Sequence, residues 1–268
     1  MISKSRAILR AVVPFPIRVA VVRWQAKKSF SAEDQDFQLE RVEAADFPYV
    51  IAEHRSPLRR PGTTYDEKLQ LGKETNVALC ASLIRGSILH PGQFFSYHHA
   101  VGAPTKKRGF VVGAELHDDE LKPGVGGGSC QVSNLLYVLA LLSGCEITER
   151  HRHGFDLFPD SERTVPFGCG ATVFYPLKDL RFRNSLDQSI LIDLAVEAGF
   201  LVGRSRARAP IDDRWELFEK DGSIEKQGDR WIRRNVVARR RIMGRGERAD
   251  EIVAENIATC LYEPEAPR

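Results

Sequence analysis

The sequence predicts an α+β fold in which a central helix that carries Cys130 packs on an antiparallel sheet, followed by a β-rich C-terminal region. Two observations favour this fold. An apolar run from Val132 to Leu142 follows a glycine-rich loop and is long enough for about three helical turns. Along the whole chain, the order of helix, loop, helix and then several strands is typical of α+β proteins.

The individual elements follow from residue periodicity and from turn residues. A first helix is predicted over residues 65–85, because apolar residues recur at broken helical spacing until Gly86 ends it. The second helix is expected to begin after the N-cap residue Ser129 and to stop at Gly144. Strands are predicted at residues 47–53, 87–95, 109–116, 146–152, 171–175, 180–183 and 189–196, and charged hairpins at residues 201–262.

The chain is long and apolar enough to fold without disulfide or metal support. It has 268 residues, of which 43% are hydrophobic and 28% are charged, and this balance supplies a sizeable core. We divide it into a basic extension and linker at residues 1–60, a core domain at residues 61–200 and a β-rich extension at residues 201–268. A net charge of +3 is too small to indicate nucleic-acid binding, so no nucleic-acid partner is expected.

Cysteine usage and the N-terminus indicate the compartment. The five cysteines are widely spread, odd in number and contain no CxxC pair, which favours reduced thiols in a cytoplasmic protein. Residues 1–28 are basic, and their apolar stretches are broken by Pro14, Pro16 and two arginines, so we expect neither a signal peptide nor a membrane span. This segment is interpreted either as a peripheral contact with an anionic membrane surface or as a solvated arm.

The junction between the glycine loop and the central helix is the most informative motif. Three glycines permit a tight bend, and a cysteine in the first helical turn lies near unpaired N–H groups and the positive end of the helix dipole. Such a thiol tends to have a lowered pKa and to act as a nucleophile. The alternative is that the loop leads into a core helix and that the cysteine is a small buried apolar residue. The motif comprises Gly126, Gly127, Gly128, Ser129, Cys130 and Gln131.

Several separated motifs occur in an order that resembles the VanW family, whose namesake is an accessory protein of vancomycin B-type resistance clusters. The resemblance covers residues 75–194 and implies a cell-envelope context rather than a particular reaction. The matching segments are PGQFFS at residues 91–96, Val101-Gly102, Arg108-Gly109, GVGGGSCQVSNLLY at residues 124–137, ERHRH at residues 149–153 and DLRFRN at residues 179–184.

The order of cysteine, histidine and then acid resembles that of papain-like and transglutaminase-like thiol enzymes. Cys130 is the expected nucleophile, and His151 or His153 is the base, since both would point the same way on one strand. Asp179 or Asn184 would orient the base. The expected reaction is amide hydrolysis or acyl transfer on a peptide or a cell-wall-precursor-like ligand. Residues expected to bind this ligand are Gly126, Gly127, Gly128, Ser129, Gln131 as an oxyanion donor and Arg181 as a carboxylate contact.

Two other functions remain open from the sequence. The first is a non-catalytic binding module of the cell envelope, in which the glycine loop shapes a groove for a peptide. The second is a zinc site formed by His151, His153 and Cys130 with a ligand from the His98-His99 pair, although no metal is the favoured expectation. No Gly-Lys-Ser/Thr follows the glycine loop, so a nucleotide P-loop is not predicted and no cofactor is expected.

Overall fold

A computed structural model of the chain confirms the predicted α+β class. It describes residues 39–59, 66–117, 120–156, 159–160 and 163–264. The interpretations of the basic segment at residues 1–28 fall outside the described residues. None of the helices in the described part of the chain combines the length and the apolar character needed to cross a membrane.

The central helix and the first long helix lie close to their predicted bounds. The helices are α1 (Glu67–Ile84), α2 (Tyr97–Val101) and α3 (Ser129–Leu142). The strands are β1 (Tyr49–Pro57), β2 (Ser87–Leu89), β3 (Phe94–Ser96), β4 (Val112–His117), β5 (Glu120–Val125), β6 (Glu146–Glu149), β7 (Phe155–Asp156), β8 (Arg181–Arg183), β9 (Ile190–Glu197), β10 (Phe200–Ala207), β11 (Arg214–Gln227), β12 (Arg230–Ile242) and β13 (Arg248–Cys260).

The strands form four sheets that are almost entirely antiparallel. One sheet has the order β1-β10-β9-β2, and a second joins the long C-terminal hairpins in the order β11-β12-β13. Strand β7 pairs with β13 in the parallel sense and extends this second sheet. A small β3-β8-β6 sheet and the β4-β5 hairpin complete the arrangement. Strands β1 and β10 lie near the predicted domain boundaries, which stay a prediction.

Helix α3 lies at the centre because it is apolar on nearly every side. It packs against β1, β10, β11 and α1, and nine of its residues are buried. Gly203 of β10 permits this close approach, since a Cβ there would overlap the side chain of Leu135. Helix α1 is fixed at its start by Asp66, whose carboxylate accepts hydrogen bonds from the N–H groups of Lys68 and Leu69.

Two predicted strands are shorter or absent. The strand predicted over residues 146–152 ends at Glu149, where its pairing with β8 becomes irregular. Residues 171–175 form no named strand, because side chains of α3 hydrogen-bond to the backbone of this segment. The Ser133 hydroxyl donates to Ala171 O at 2.6 Å, and the side-chain oxygen Oδ1 of Asn134 accepts from the Ala171 N–H at 2.7 Å.

Candidate functional site

A large cleft opens beside the first turn of α3. Its volume is about 960 Å³. Its lining includes the glycine motif, the loop at residues 101–105, and parts of the segments at residues 150–156 and 163–176. Of the residues expected from sequence to form the site, those that line the cleft are Gly126, Gly127, Gly128, Ser129, Cys130, Gln131 and His153.

The three glycines are required by backbone packing. Gly126 and Gly128 have φ angles of +88° and +106°, which side-chain-bearing residues rarely adopt. Gly127 lies against β4, where a Cβ would come within 2.5 Å of the Gly113 carbonyl carbon. The buried Asn76 of α1 donates to Gly127 O at 2.9 Å and also pairs with the backbone of Val111. The motif is therefore held between α1 and the β4-β5 hairpin.

Ser129 and Gln131 have different local roles from those expected. The N-cap residue is Gly128 rather than Ser129, which is the first helical residue and whose hydroxyl donates to Gly126 O at 2.6 Å. Gln131 had been expected to donate to an oxyanion. Its amide nitrogen instead donates to Ser56 Oγ at 2.9 Å and to Pro57 O at 2.8 Å, and thereby ties α3 to the end of β1.

Cys130 occupies the second position of α3 and is half-buried in the cleft wall. Its thiol donates to Val173 O at 3.6 Å. Burial raises the pKa of the Cys130 thiol to about 11, and the nearby Glu115 carboxylate adds to this effect. The expectation of a lowered pKa is therefore wrong, because loss of solvent outweighs both the hydrogen bond and the Lys178 ammonium.

His153 is the sequence-predicted histidine that reaches the cleft. Burial lowers the pKa of its imidazole, and the Lys178 ammonium lowers that pKa further. The ring is therefore neutral at pH 7 and can accept a proton. The Lys178 ammonium acts electrostatically on both the Cys130 thiol and the His153 imidazole.

His151 points elsewhere, contrary to the expectation that both histidines share one strand face. The strand ends at Glu149, so the alternation of side chains does not continue to residues 151 and 153. The His151 Nε2 atom lies 2.9 Å from Glu149 Oε1. This ring belongs to a polar cluster behind the cleft, and it is not among the residues that line the cleft.

Asp179 and Arg181 belong to the same polar cluster. The buried Asp179 carboxylate accepts hydrogen bonds from Ser96 Oγ at 2.6 Å, from the His98 N–H at 2.9 Å and from Arg181 Nε at 3.1 Å. Glu149 Oε1 accepts the Asp179 N–H at 3.0 Å. Together with the hydrogen bond from His151, this contact lowers the pKa of Glu149 although burial acts in the opposite direction.

His98 is a candidate that sequence reasoning considered only as a metal ligand. Its buried ring lines the cleft, and its Nδ1 atom lies 3.8 Å from Asp179 Oδ1. The acid predicted to orient a histidine thus lies beside His98 rather than beside His153. Burial lowers the pKa of His98, while the Asp179 carboxylate partly offsets this effect. The nearby Tyr175 ring packs edge-on at 5.2 Å.

Within the described ranges, no group of three or more His, Cys, Asp or Glu residues is placed to hold a metal ion. The N–H of Cys130 lies in the first turn of α3, where α-helical N–H groups have no acceptor within the helix.

The fold and the site together define an α+β domain in which a glycine-rich turn leads into a buried helix. The first turn of this helix carries a thiol, and a large cleft lies beside it. This chain belongs to the VanW family. The family model described as VanW like protein matches residues 72–205, which confirms the resemblance drawn from the motifs.

Two curated relatives are similar to the chain. Uncharacterized protein YoaR of Bacillus subtilis (strain 168) is 33% identical over 132 residues, which is 48% of this chain and 41% of that protein. Vancomycin B-type resistance protein VanW of Enterococcus faecalis (strain ATCC 700802 / V583) is 29% identical over 157 residues, which is 59% of this chain and 57% of that protein. The chain thus spans about half the length of the curated relatives it matches. No solved structure matches this chain.

Proposed function

We propose that this protein is a thiol enzyme that hydrolyses or exchanges an amide bond of a peptide held in the cleft. The observation that carries the proposal is that Cys130 and His153 line one cleft of about 960 Å³. A cleft of this size is large enough to enclose a ligand of several residues. The thiol is the nucleophile and the neutral imidazole is the base.

The chemistry balances with the groups at hand. The Cys130 S–H proton passes to the His153 ring as the sulfur attacks the carbonyl carbon, and the first-turn N–H of Cys130 donates to the developing oxyanion. The amide C–N bond then breaks, the imidazolium returns its proton to the leaving amine, and a thioester remains on the sulfur. Attack by water completes a hydrolysis, and attack by a second amine completes an acyl transfer; either restores the thiol.

The ligand class is proposed from the family context. One relative is named a vancomycin B-type resistance protein, and we propose a cell-wall-precursor-like peptide as the ligand. The cleft suits such a chain, because its lining offers both apolar rings and glycine backbone. Phe174, which is 46% exposed, lines the cleft together with the glycine motif.

A non-catalytic binding module is the second candidate, and one observation favours it. The Cys130 thiol is protonated at rest, with a pKa of about 11, and its hydrogen is directed at the Val173 carbonyl. In this role the glycine motif and the thiol would shape the wall of a peptide groove, and no bond would be broken.

Incubation with soluble muropeptides discriminates between the two functions. For the enzyme we expect release of amines or formation of exchanged products, together with an acyl adduct on Cys130 in intact-mass spectra. Cys130→Ser should abolish both signals and keep the fold. Cys169→Ser is the matched control, because this thiol lines the same cleft with a pKa raised by burial to about 12. Saturable binding of muropeptides without turnover, unchanged in Cys130→Ser, would instead support the binding module.

A further inference from the structure

The cleft wall that carries His153 rests on a part of the chain outside the region matched by the family model. The match ends at residue 205, whereas the sheet β11-β12-β13 spans residues 214–260. We propose that this C-terminal sheet is a working part of the cleft and that Asn256 of β13 is a positioning residue for the cleft wall at residues 150–156 and 163–170. The inference deepens the proposed function and rests on it only for the role of His153.

Backbone hydrogen bonds fix the His153 segment to β13. The Thr259 N–H donates to Gly154 O at 3.0 Å, and the Leu261 N–H donates to Asp156 O at 2.8 Å. On the other side of His153, the Arg152 guanidinium donates to Ile257 O. The imidazole therefore sits between two attachments to the same strand, and its position in the cleft depends on that strand.

Asn256 connects the two halves of the wall. Its Oδ1 atom accepts from Arg150 Nη2 at 3.1 Å, and its Nδ2 atom donates to Asn235 Oδ1 at 2.9 Å. Asn235 in turn donates to Phe167 O at 2.8 Å. Asn256 is 5% exposed and lines the cleft. Loss of its amide would leave the Oδ1 atom of the buried Asn235 without its donor, which is costly for the wall.

Arg150 and Gly168 complete the contact around Asn256. The Arg150 guanidinium donates to Gly170 O at 2.8 Å and also to Gly168 O, so it joins the loop to the amide of Asn256. Gly168 has a φ of +82°, and a Cβ at this position would overlap the Asn256 side chain. The loop thus follows the shape of the asparagine closely.

Arg233 of β12 makes a second set of contacts with the same cleft wall. The Arg233 guanidinium lies 4.5 Å from the centre of the Phe167 ring and bonds both oxygens of Asp160 at 2.7 and 2.8 Å. Arg233 is 5% exposed, so this cation is held by its partners rather than by solvent. Both β12 and β13 therefore contribute side chains that fix one wall of the cleft.

Amide hydrogen exchange on the full chain tests the inference without any substrate. Asn256→Ala should speed exchange at residues 152–156 and 163–170 by about tenfold or more, since the wall loses the hydrogen bonds that Asn256 makes with Arg150 and Asn235. The control Arg240→Ala removes an exposed contact with Asp250 on the same two strands and should leave those residues unchanged. In addition, NMR titration of His153 should move toward the ordinary pKa in Asn256→Ala only, because the ring gains solvent while Lys178 still acts on it.

Arg152→Ala provides a second test if Asn256→Ala does not fold. Arg152 is exposed, so its removal should spare the core and still raise exchange at residues 153–156. Unchanged exchange in these variants, or an equal rise in Arg240→Ala, would overturn the inference. The proposed function can fail independently of this inference. If amide cleavage persisted in Cys130→Ser, the thiol mechanism would be wrong, but the exchange and titration results for the cleft wall would not change.

Discussion

Replacement of Gly127 by alanine tests whether the glycine motif is dictated by packing. The new Cβ would lie within 2.5 Å of the Gly113 carbonyl carbon and 2.8 Å of the Ala114 carbonyl carbon, and both are backbone atoms that cannot swing away. Overpacking of this kind costs about 1–3 kcal/mol. The shift would also weaken the Asn76 bond to Gly127 O, which contributes about 1 kcal/mol. We expect the free energy of unfolding to fall by roughly 2–3 kcal/mol.

Urea unfolding followed by tryptophan fluorescence measures this change, and Gly154→Ala is the matched control. Neither glycine has a φ in the left-handed region, and a Cβ at Gly154 would meet no atom within 4 Å. Alanine there should be neutral or should stabilise by roughly 0.5 kcal/mol, because it restricts the unfolded chain. Equal unfolding energies for the two variants would refute the packing argument for the motif.

Three further substitutions test the Asn76 contact between α1 and the glycine motif, the Cys130 thiol, and the polar cluster around Asp179. Asn76→Ala should cost about 3 kcal/mol in urea unfolding, since it removes three hydrogen bonds to the backbone of Val111 and Gly127 and leaves the Val111 N–H and Gly127 O without a partner. The free energy of unfolding of the wild type, relative to that of Cys130→Ala, should be constant below the ordinary thiol pKa of 9.0. It should fall as pH rises through about 11, because folding favours the protonated thiol. A difference that does not change with pH in alkaline unfolding curves would contradict this. Asp179→Asn should cost about 2 kcal/mol, because the hydrogen bonds from Arg181 and Ser96 lose a charged acceptor while Glu149 remains beside Arg181; a thermal midpoint equal to that of the wild type would count against this role.

The sequence was sufficient where local signals determine the structure. Helix α3 was predictable because an apolar run between Gly128 and Gly144 has no other regular way to bury itself, and α1 was predictable from its spacing and its end at Gly86. The long C-terminal hairpins were predictable because their strands alternate apolar and charged residues over many positions.

Features set by distant contacts could not be read from the sequence. The strand after α3 ends at Glu149 because the next residue, Arg150, bonds the loop at residues 168–170, about twenty positions later. The two histidines consequently diverge. Likewise, the pKa of the Cys130 thiol is raised by burial in the folded chain, which no local motif reveals. The pairing of Asp179 with His98 joins residues 81 positions apart.

The protonation states of Cys130 and His153 in the empty cleft restrict how the proposed chemistry can proceed. The Cys130 thiol has a pKa of about 11, and the pKa of the His153 imidazole is lowered below its ordinary 6.5. Both shifts make transfer of the proton from sulfur to nitrogen in the empty cleft costly. They therefore disfavour a preformed thiolate–imidazolium pair at neutral pH. Attack on a bound carbonyl avoids this cost, because the negative charge moves from sulfur to an oxygen held by helix N–H groups as the proton leaves. The proposed enzyme would then be inert toward simple alkylating agents and active only with a ligand that fills the cleft.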